Sequence, residues 1–243
     1  MMNLSKTSTE PDKDIDKKKT EEETLDLYKQ QAPLQNLLYA EKKHSLLIIL
    51  QGMDAAGKDG TIKHAFSSMN PMGIEVKAFK APTDEEKNYD FLWRVHPHTP
   101  AKGMVQIFNR SHYEDILVPT VHKSLDKQII ERRYDIINSF EQCLVDSGTV
   151  ILKFFLHISK EEQKNRIAER LNIPHKRWKY DPADSTEEKN WDAYVETYEK
   201  IFEKCSKELP WFIVPADRKW YRNYFIANEI VKTLKALKMK YPE

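Results

Sequence analysis

Between Gly52 and Lys58 the chain reads Gly-Met-Asp-Ala-Ala-Gly-Lys, a Gly-x-x-x-x-Gly-Lys spacing whose chemistry is the gripping of anions. Gly52 and Gly57 let the backbone turn tightly enough for successive amide N–H groups to converge on phosphate oxygens, and Lys58 adds a full positive charge. Ala55, Ala56, Asp59, Gly60 and Thr61 complete the cradle, and the helix expected to open at Thr61 contributes the positive end of its dipole. Two residues depart from the usual form. Asp59 stands where Ser or Thr normally holds magnesium. Asp54 sets a carboxylate inside the cradle, which repels phosphate by several kcal/mol at about 4 Å unless a cation bridges the two. The spacing therefore predicts that Asp54 holds Mg2+.

Further clusters carry complementary chemistry. Asn109-Arg110 follows a second apolar run, at a place where such enzymes often carry an Asp for magnesium; Asn109 brings a carbonyl without charge, while Arg110 can grip phosphate oxygens in bidentate fashion. Glu114 is positioned to face a nucleotide. His112, beside Tyr113, reads as packing. Arg166 and Arg170 lie four apart on one helical face, ahead of a basic segment broken by Pro174, and together they suggest a lid over about 166–190 that brings positive charge to a moving group and excludes water. Trp191, Tyr194 and Tyr198 recur at helical spacing and read as packing.

These groups need a scaffold, and the hydropathy pattern supplies one. Leu46–Leu50 is an apolar run too short for an isolated helix and reads as a buried parallel strand feeding the loop. Further strands are expected over 74–79, 104–108, 150–158 and 211–214, with helices over 21–41 (kinked or divided at Pro33), 84–94, 125–145, from Ser159 with a Ser159/Glu162 capping box, and 221–238. Strand alternating with helix predicts an α/β chain with a central parallel sheet, and ligands then sit beyond the carboxyl ends of the strands, where Lys58, Lys80, Arg110 and Asp217 all fall. Residues 1–20 are polar and read as a mobile tail, leaving 21–243 as a single domain. A net charge of +1 gives no general attraction to nucleic acid, two isolated cysteines suit a reducing compartment, and no run is long enough to span a membrane, so the sequence reads as cytoplasmic.

Gly52-Met53-Asp54-Ala55-Ala56-Gly57-Lys58-Asp59-Gly60, Phe108-Asn109-Arg110-Ser111-His112-Tyr113-Glu114, Ser159-Lys160-Glu161-Glu162-Gln163 with Arg166 and Arg170, Trp178-Lys179, and Pro210-Trp211 through Ala216-Asp217-Arg218-Lys219-Trp220 with Arg222 together resemble the polyphosphate kinase 2 family from about residue 21 onward. The resemblance implies a three-layer, thymidylate-kinase-like P-loop fold with a helical lid. It also implies magnesium-dependent phosphoryl transfer between inorganic polyphosphate and nucleotides, and a homo-oligomer. By that likeness Asp54 and Lys58 are catalytic and Arg110 binds phosphate. Many members have Asp-Arg-Ser where this chain has Asn109-Arg110-Ser111, and the Asn form resembles the branch acting on both AMP and ADP, with guanine nucleotides a further acceptor class.

The expected reaction is reversible in-line transfer from a polyphosphate end to ADP or AMP. Lys58 and the loop amides hold phosphates, Asp54 the metal, and Arg110, Arg166 and Arg170 the developing charge. A polymeric donor also needs a basic track, for which Lys63, Lys80, Arg94 and Lys123 are candidates. The alternatives are an ATP-dependent nucleoside monophosphate kinase, against which Asp59 argues, and a non-catalytic nucleotide-binding regulatory module, which would bind without turnover.

Overall fold

A computed structural model describes residues 3–179 and 187–243. Five strands, β1 (Ser45–Gly52), β2 (Ile74–Ala78), β3 (Val105–Asn109), β4 (Thr149–His157) and β5 (Trp211–Pro215), form one sheet in the order β2-β3-β1-β4-β5 with every pairing parallel. All eight residues of β1 are buried, as expected for a strand paired on both edges and covered on both faces. Its register sets Leu50 opposite Asn109 on β3 and Gly52 opposite Leu156 on β4. The Gly-rich loop, the Asn109-Arg110 turn and the ends of β4 and β5 therefore meet at one carboxyl edge. The chain leaves β1 toward one side of the sheet and β4 toward the other, so a crevice opens between them.

Seven α-helices are assigned among the described residues: α1 (Lys17–Glu41), α2 (Lys58–Ala65), α3 (Glu114–Val121), α4 (Lys127–Asp146), α5 (Lys160–Asn172), α6 (Trp191–Lys204) and α7 (Lys219–Ala236). α1 and α2 pack on α7, while α3 packs on α4 and α6, and with the sheet between them these groups give the three layers of a P-loop kinase fold. No helix among the described residues is long and apolar enough to cross a membrane.

α2 opens at Lys58, not at Thr61 as expected, with Gly57 as its N-cap. Three larger expectations change. Residues 84–94 do not form a helix: Thr83 and Glu86 cap one another (2.8 and 3.2 Å), yet only the 3-10 turn Glu86–Asn88 follows, because Leu92, Arg94 and Val95 are drawn into the core. α1 starts earlier, at Lys17, where the Asp16 side chain accepts from the Lys19 amide, and it runs through Pro33. The polar N-terminus is docked against the body. Leu4 is 2% exposed, its amide donates to Glu199 (2.7 Å), and Thr9 donates to Asp217 (2.7 Å). One buried leucine and a few long-range hydrogen bonds suffice to seat a stretch whose composition is that of a tail.

Candidate active site

Backbone geometry shapes the loop first. Gly57 has φ +100°, a conformation costly for residues with a Cβ, and a Cβ on Gly52 would lie 2.8 Å from the Leu156 carbonyl oxygen. Lys58 folds back across the loop, its Nζ donating to the carbonyls of Gly52 (2.7 Å) and Met53 (3.2 Å). Burial, reinforced by nearby Arg110, pushes its ammonium down to about 8. Lys58 is thus held at the cradle in a state that gains from an arriving anion. Thr61 turns its hydroxyl back to the Gly57 carbonyl (3.1 Å).

Asp54 faces Arg110 across the mouth of the crevice, Oδ1 to Nη2 at 2.6 Å. Arg110 has φ +62°, and it also reaches Glu114 at 3.3 Å, one turn along in α3. Glu114 and then Asp54 hold the guanidinium firmly charged, outweighing burial. Gln51, a polar residue at the end of an otherwise apolar strand, donates to Glu114 (3.0 Å) and so fixes the acid. The Asn109 side-chain amide donates to Asp59 (2.9 Å), tying the residue that replaces Ser or Thr to the end of β3.

A groove of about 490 Å³ runs beside the loop. Lys58, Lys80, Arg110, Arg166, Arg170 and Lys219 lie along it, against the acids Asp54, Asp59 and Glu169, together with Ala55, Gly57, Gly60 and Asn109. The excess of cations suits a polyanion. A narrower cleft on the other side of Asp54 and Arg110 is walled by Glu114, Gln163, Trp191, Tyr194 and Tyr198. The aromatic triplet, read as packing, packs against the core, Tyr198 fully buried and Trp191 and Tyr194 partly so, and all three also face this cleft.

Two of the expected phosphate contacts are otherwise engaged. All five N–H groups of Arg166 have acceptors: Glu162 (2.7 Å) and the carbonyls of Ala55 (3.1 Å), Ala56 (2.9 Å), Ala216 (2.7 Å) and Asp217 (3.1 Å). These bonds fasten the loop to the end of β5, with Arg166 still along the groove. Arg170, one turn further along α5, remains at the groove. Arg94 is corrected as a track residue. It is 6% exposed and donates to the Lys80 carbonyl (2.8 Å) and to Asp115 (3.0 Å), a structural role forced by its pull into the core. Lys63 and Lys123 are exposed and lie outside the lining of the groove, whereas Lys80 belongs to it. The expected lid begins in α5, and its residues 180–186 lie outside the described residues.

Sequence reasoning assigned no role to Lys219 or to Gln163, which donates to the Asp54 carbonyl (3.0 Å). Gln51 was legible as the one polar break in an apolar run; Lys219, in a generally basic segment, carried no such signal. Asp217, at a strand end like the site residues, is structural: it accepts from the Ser159 amide (2.8 Å), the place a full capping box would give to Glu162.

No cluster of three or more metal-ligating side chains occurs among the described residues. A single carboxylate at the mouth of a cationic groove fits magnesium, which keeps waters and is commonly held by one or two carboxylates plus substrate phosphates.

The family profile described as Polyphosphate kinase 2 matches residues 14–242. The chain is 50% identical over 211 residues, 86% of this chain and 79% of the relative, to an AMP/ADP-polyphosphate phosphotransferase of Meiothermus ruber. It is 43% identical over 223 residues, 86% and 77% of the two chains, to an ADP-polyphosphate phosphotransferase of Rhodopseudomonas palustris. The crystal structure of polyphosphate kinase 2 from Arthrobacter aurescens superposes with a TM-score of 0.96 at 42% identity, covering 100% of this chain and 88% of that one.

Proposed function

The chain belongs to the polyphosphate kinase 2 family, and from that premise we propose that it moves phosphoryl groups reversibly between inorganic polyphosphate and ADP or AMP. The observation that carries this is the Asp54–Arg110 pair, 2.6 Å apart, at the junction of the two recesses: the long cationic groove on one side and the cleft lined by Glu114, Trp191 and Tyr194 on the other. A polymer of phosphates matches the groove, while the cleft, with room for about 30 Å³, would have to widen at Trp191 and Tyr194 to admit a nucleotide on that side. The transferring group would then sit at the pair.

The acceptor is itself a phosphate, so no strong general base is required, and catalysis is positioning plus neutralisation of two polyanions. Lys58 and the loop amides bind and orient the phosphates. Arg110, freed from Asp54 as phosphate arrives, and Arg170 stabilise charge on the moving group. Magnesium, held by Asp54, would supply further neutralisation and a template for the two oxygens in line. Asn109, where many members of the family carry Asp, leaves one carboxylate fewer facing the phosphates in the groove, and its amide holds Asp59 by a hydrogen bond. The 50% identical relative named for both acceptors supports acceptance of both AMP and ADP.

The test offers the purified protein polyphosphate with ADP, polyphosphate with AMP, and ATP with AMP, each with and without magnesium. Magnesium-dependent ATP and ADP formation in the first two is expected. Turnover only with ATP as donor, or nucleotide binding without turnover, would overturn the proposal. Asp54→Asn should lower kcat by about 100-fold or more, because several kcal/mol of charge stabilisation are lost at a factor of ten per 1.4 kcal/mol.

A further inference from the structure

Against the Gly57 turn of the loop, α7 buries a second arginine. Arg222 is 2% exposed and its guanidinium lies against the Gly57 turn so closely that a Cβ on Gly57 would fall 2.2 Å from Nη1, with a Cβ on Gly60 3.6 Å from Nη2. Its hydrogen-bonding partner is the side chain of the adjacent Asn223, which accepts from Nε (3.2 Å) and Nη2 (2.9 Å). No carboxylate lies within ion-pair distance of it among the described residues. The contrast with Arg166, at 3.5 Å from the same Gly57 position, is sharp: that guanidinium is paired with Glu162.

Buried guanidinium groups ordinarily take an acid, because desolvating an unpaired charge costs several kcal/mol. Here the neighbours add to the cost. Arg166 is a second cation, and the N-terminus of α2 presents the positive end of its dipole on the same side. Burial, and next the repulsion from Arg166, push the Arg222 guanidinium down to about 10. The positive charge is therefore enclosed with the Asn223 side chain and the nearby Tyr28 hydroxyl, and without a carboxylate partner among the described residues. Gly57, whose lack of a side chain admits the guanidinium, is also a residue of the groove lining, so one residue separates the charge from the place where phosphates would lie.

We propose that Arg222 is a positioning residue whose counter-ion is the bound phosphate chain: held against Gly57 without an acid, it strains the empty site and is relieved when a polyanion occupies the groove. It acts through the loop and its field, not by touching the substrate. This rests on the reading of the groove as a polyphosphate site, and it adds to that reading a residue that makes affinity depend on the charge of the ligand. The design places part of the binding energy in the protein beforehand, as a destabilised empty state.

The test compares Arg222→Gln, Arg222→Met and Arg222→Lys with the wild type, using inorganic tripolyphosphate as the probe in thermal melts and long-chain polyphosphate in steady-state kinetics. For the two uncharged variants the free protein should melt no lower than wild type, and the rise in Tm produced by tripolyphosphate should fall to less than half. The KM for polyphosphate should increase about tenfold, with kcat changed far less, and Arg222→Lys should restore most of both. If the uncharged variants melt several degrees lower yet keep the wild-type response to tripolyphosphate, Arg222 is packing and the proposal is overturned. The same holds if neither uncharged variant folds, since the charge would then be supporting the empty protein. Absence of polyphosphate-driven synthesis in the wild type would sink the functional reading instead, and the tripolyphosphate comparison would still decide the role of Arg222.

Discussion

Replacing Lys153 with methionine tests whether the turn that carries Arg110 depends on charges buried beneath the sheet. Lys153 is 1% exposed in the middle of β4, and its three protons are all used: Glu141 Oε2 at 2.7 Å, the Cys205 carbonyl at 2.7 Å and the Tyr113 hydroxyl at 3.1 Å. Glu141, equally buried, accepts in turn from His112 Nε2 (3.2 Å) and from Tyr113 (2.9 Å). Burial alone would push the Glu141 carboxyl up, but its hydrogen bond with His112 and the attraction of Lys153 hold it below the usual range. Methionine keeps the length and apolar stem of the lysine, so the loss is mainly electrostatic. Leaving one member of a buried pair alone costs about 3–5 kcal/mol. In a domain of this size each kcal/mol lowers Tm by about 2–4 °C, so a fall of roughly 6–20 °C is expected.

Calorimetry and denaturant titration measure that loss, and kinetics below the lowered Tm measure its reach into the site. His112 and Tyr113 directly follow Arg110 and Ser111, so slackening at Glu141 should also reduce kcat with polyphosphate. Adding Glu141→Gln to Lys153→Met should recover part of the stability, because the uncompensated charge is gone, with a coupling of about 0.5–3 kcal/mol. A Tm within about 2 °C of wild type, or strictly additive single and double variants, would refute the buried pair as the support of this turn. A related acid effect has a defined sign. Because the folded pKa of Glu141 lies below its unfolded value, the stability it contributes is complete above pH 4.5 and is lost as pH falls through the folded value.

Two further outcomes follow from the site. Lys58 sits at about 8 in the empty protein against an ordinary 10.5, so the unfolded chain binds more protons in that interval and this residue's burial penalty shrinks as pH rises through it. Tripolyphosphate should bind more weakly above pH 8 and take up protons as it binds at pH 8.5, which calorimetry in buffers of different ionisation enthalpy detects; a flat profile with no uptake contradicts the placement of Lys58. Arg94→Met should destabilise the fold by about 1.5–3 kcal/mol, from lost charge-assisted hydrogen bonds to Asp115 and Lys80. It should leave the KM for polyphosphate within about twofold, so a larger rise in KM would return Arg94 to the track.

What the sequence by itself determined was everything carried by short-range pattern. An apolar run of strand length ending in Gly-x-x-x-x-Gly-Lys specifies a buried strand and an anion-gripping turn, because both depend on neighbouring residues. Asp54 and Arg110 were legible as a carboxylate and a guanidinium at strand ends, and the parallel register of β1 and β3 then brought them to 2.6 Å. Tertiary structure alone decided what each charge faces. Arg166 and Arg170 look equivalent on a helical wheel, yet only Arg166 is shown bound to the carbonyls at the end of β5, where it ties the loop down. Arg94 looked like a surface cation until the core drew it in, Leu4 anchored a stretch with the composition of a tail, and Arg222 became part of the loop only because α7 packs against Gly57. The physical reason is common to all four. Residue type and spacing fix which interactions a side chain can make, whereas the choice among possible partners is settled by long-range packing, where burial makes an unmatched charge expensive.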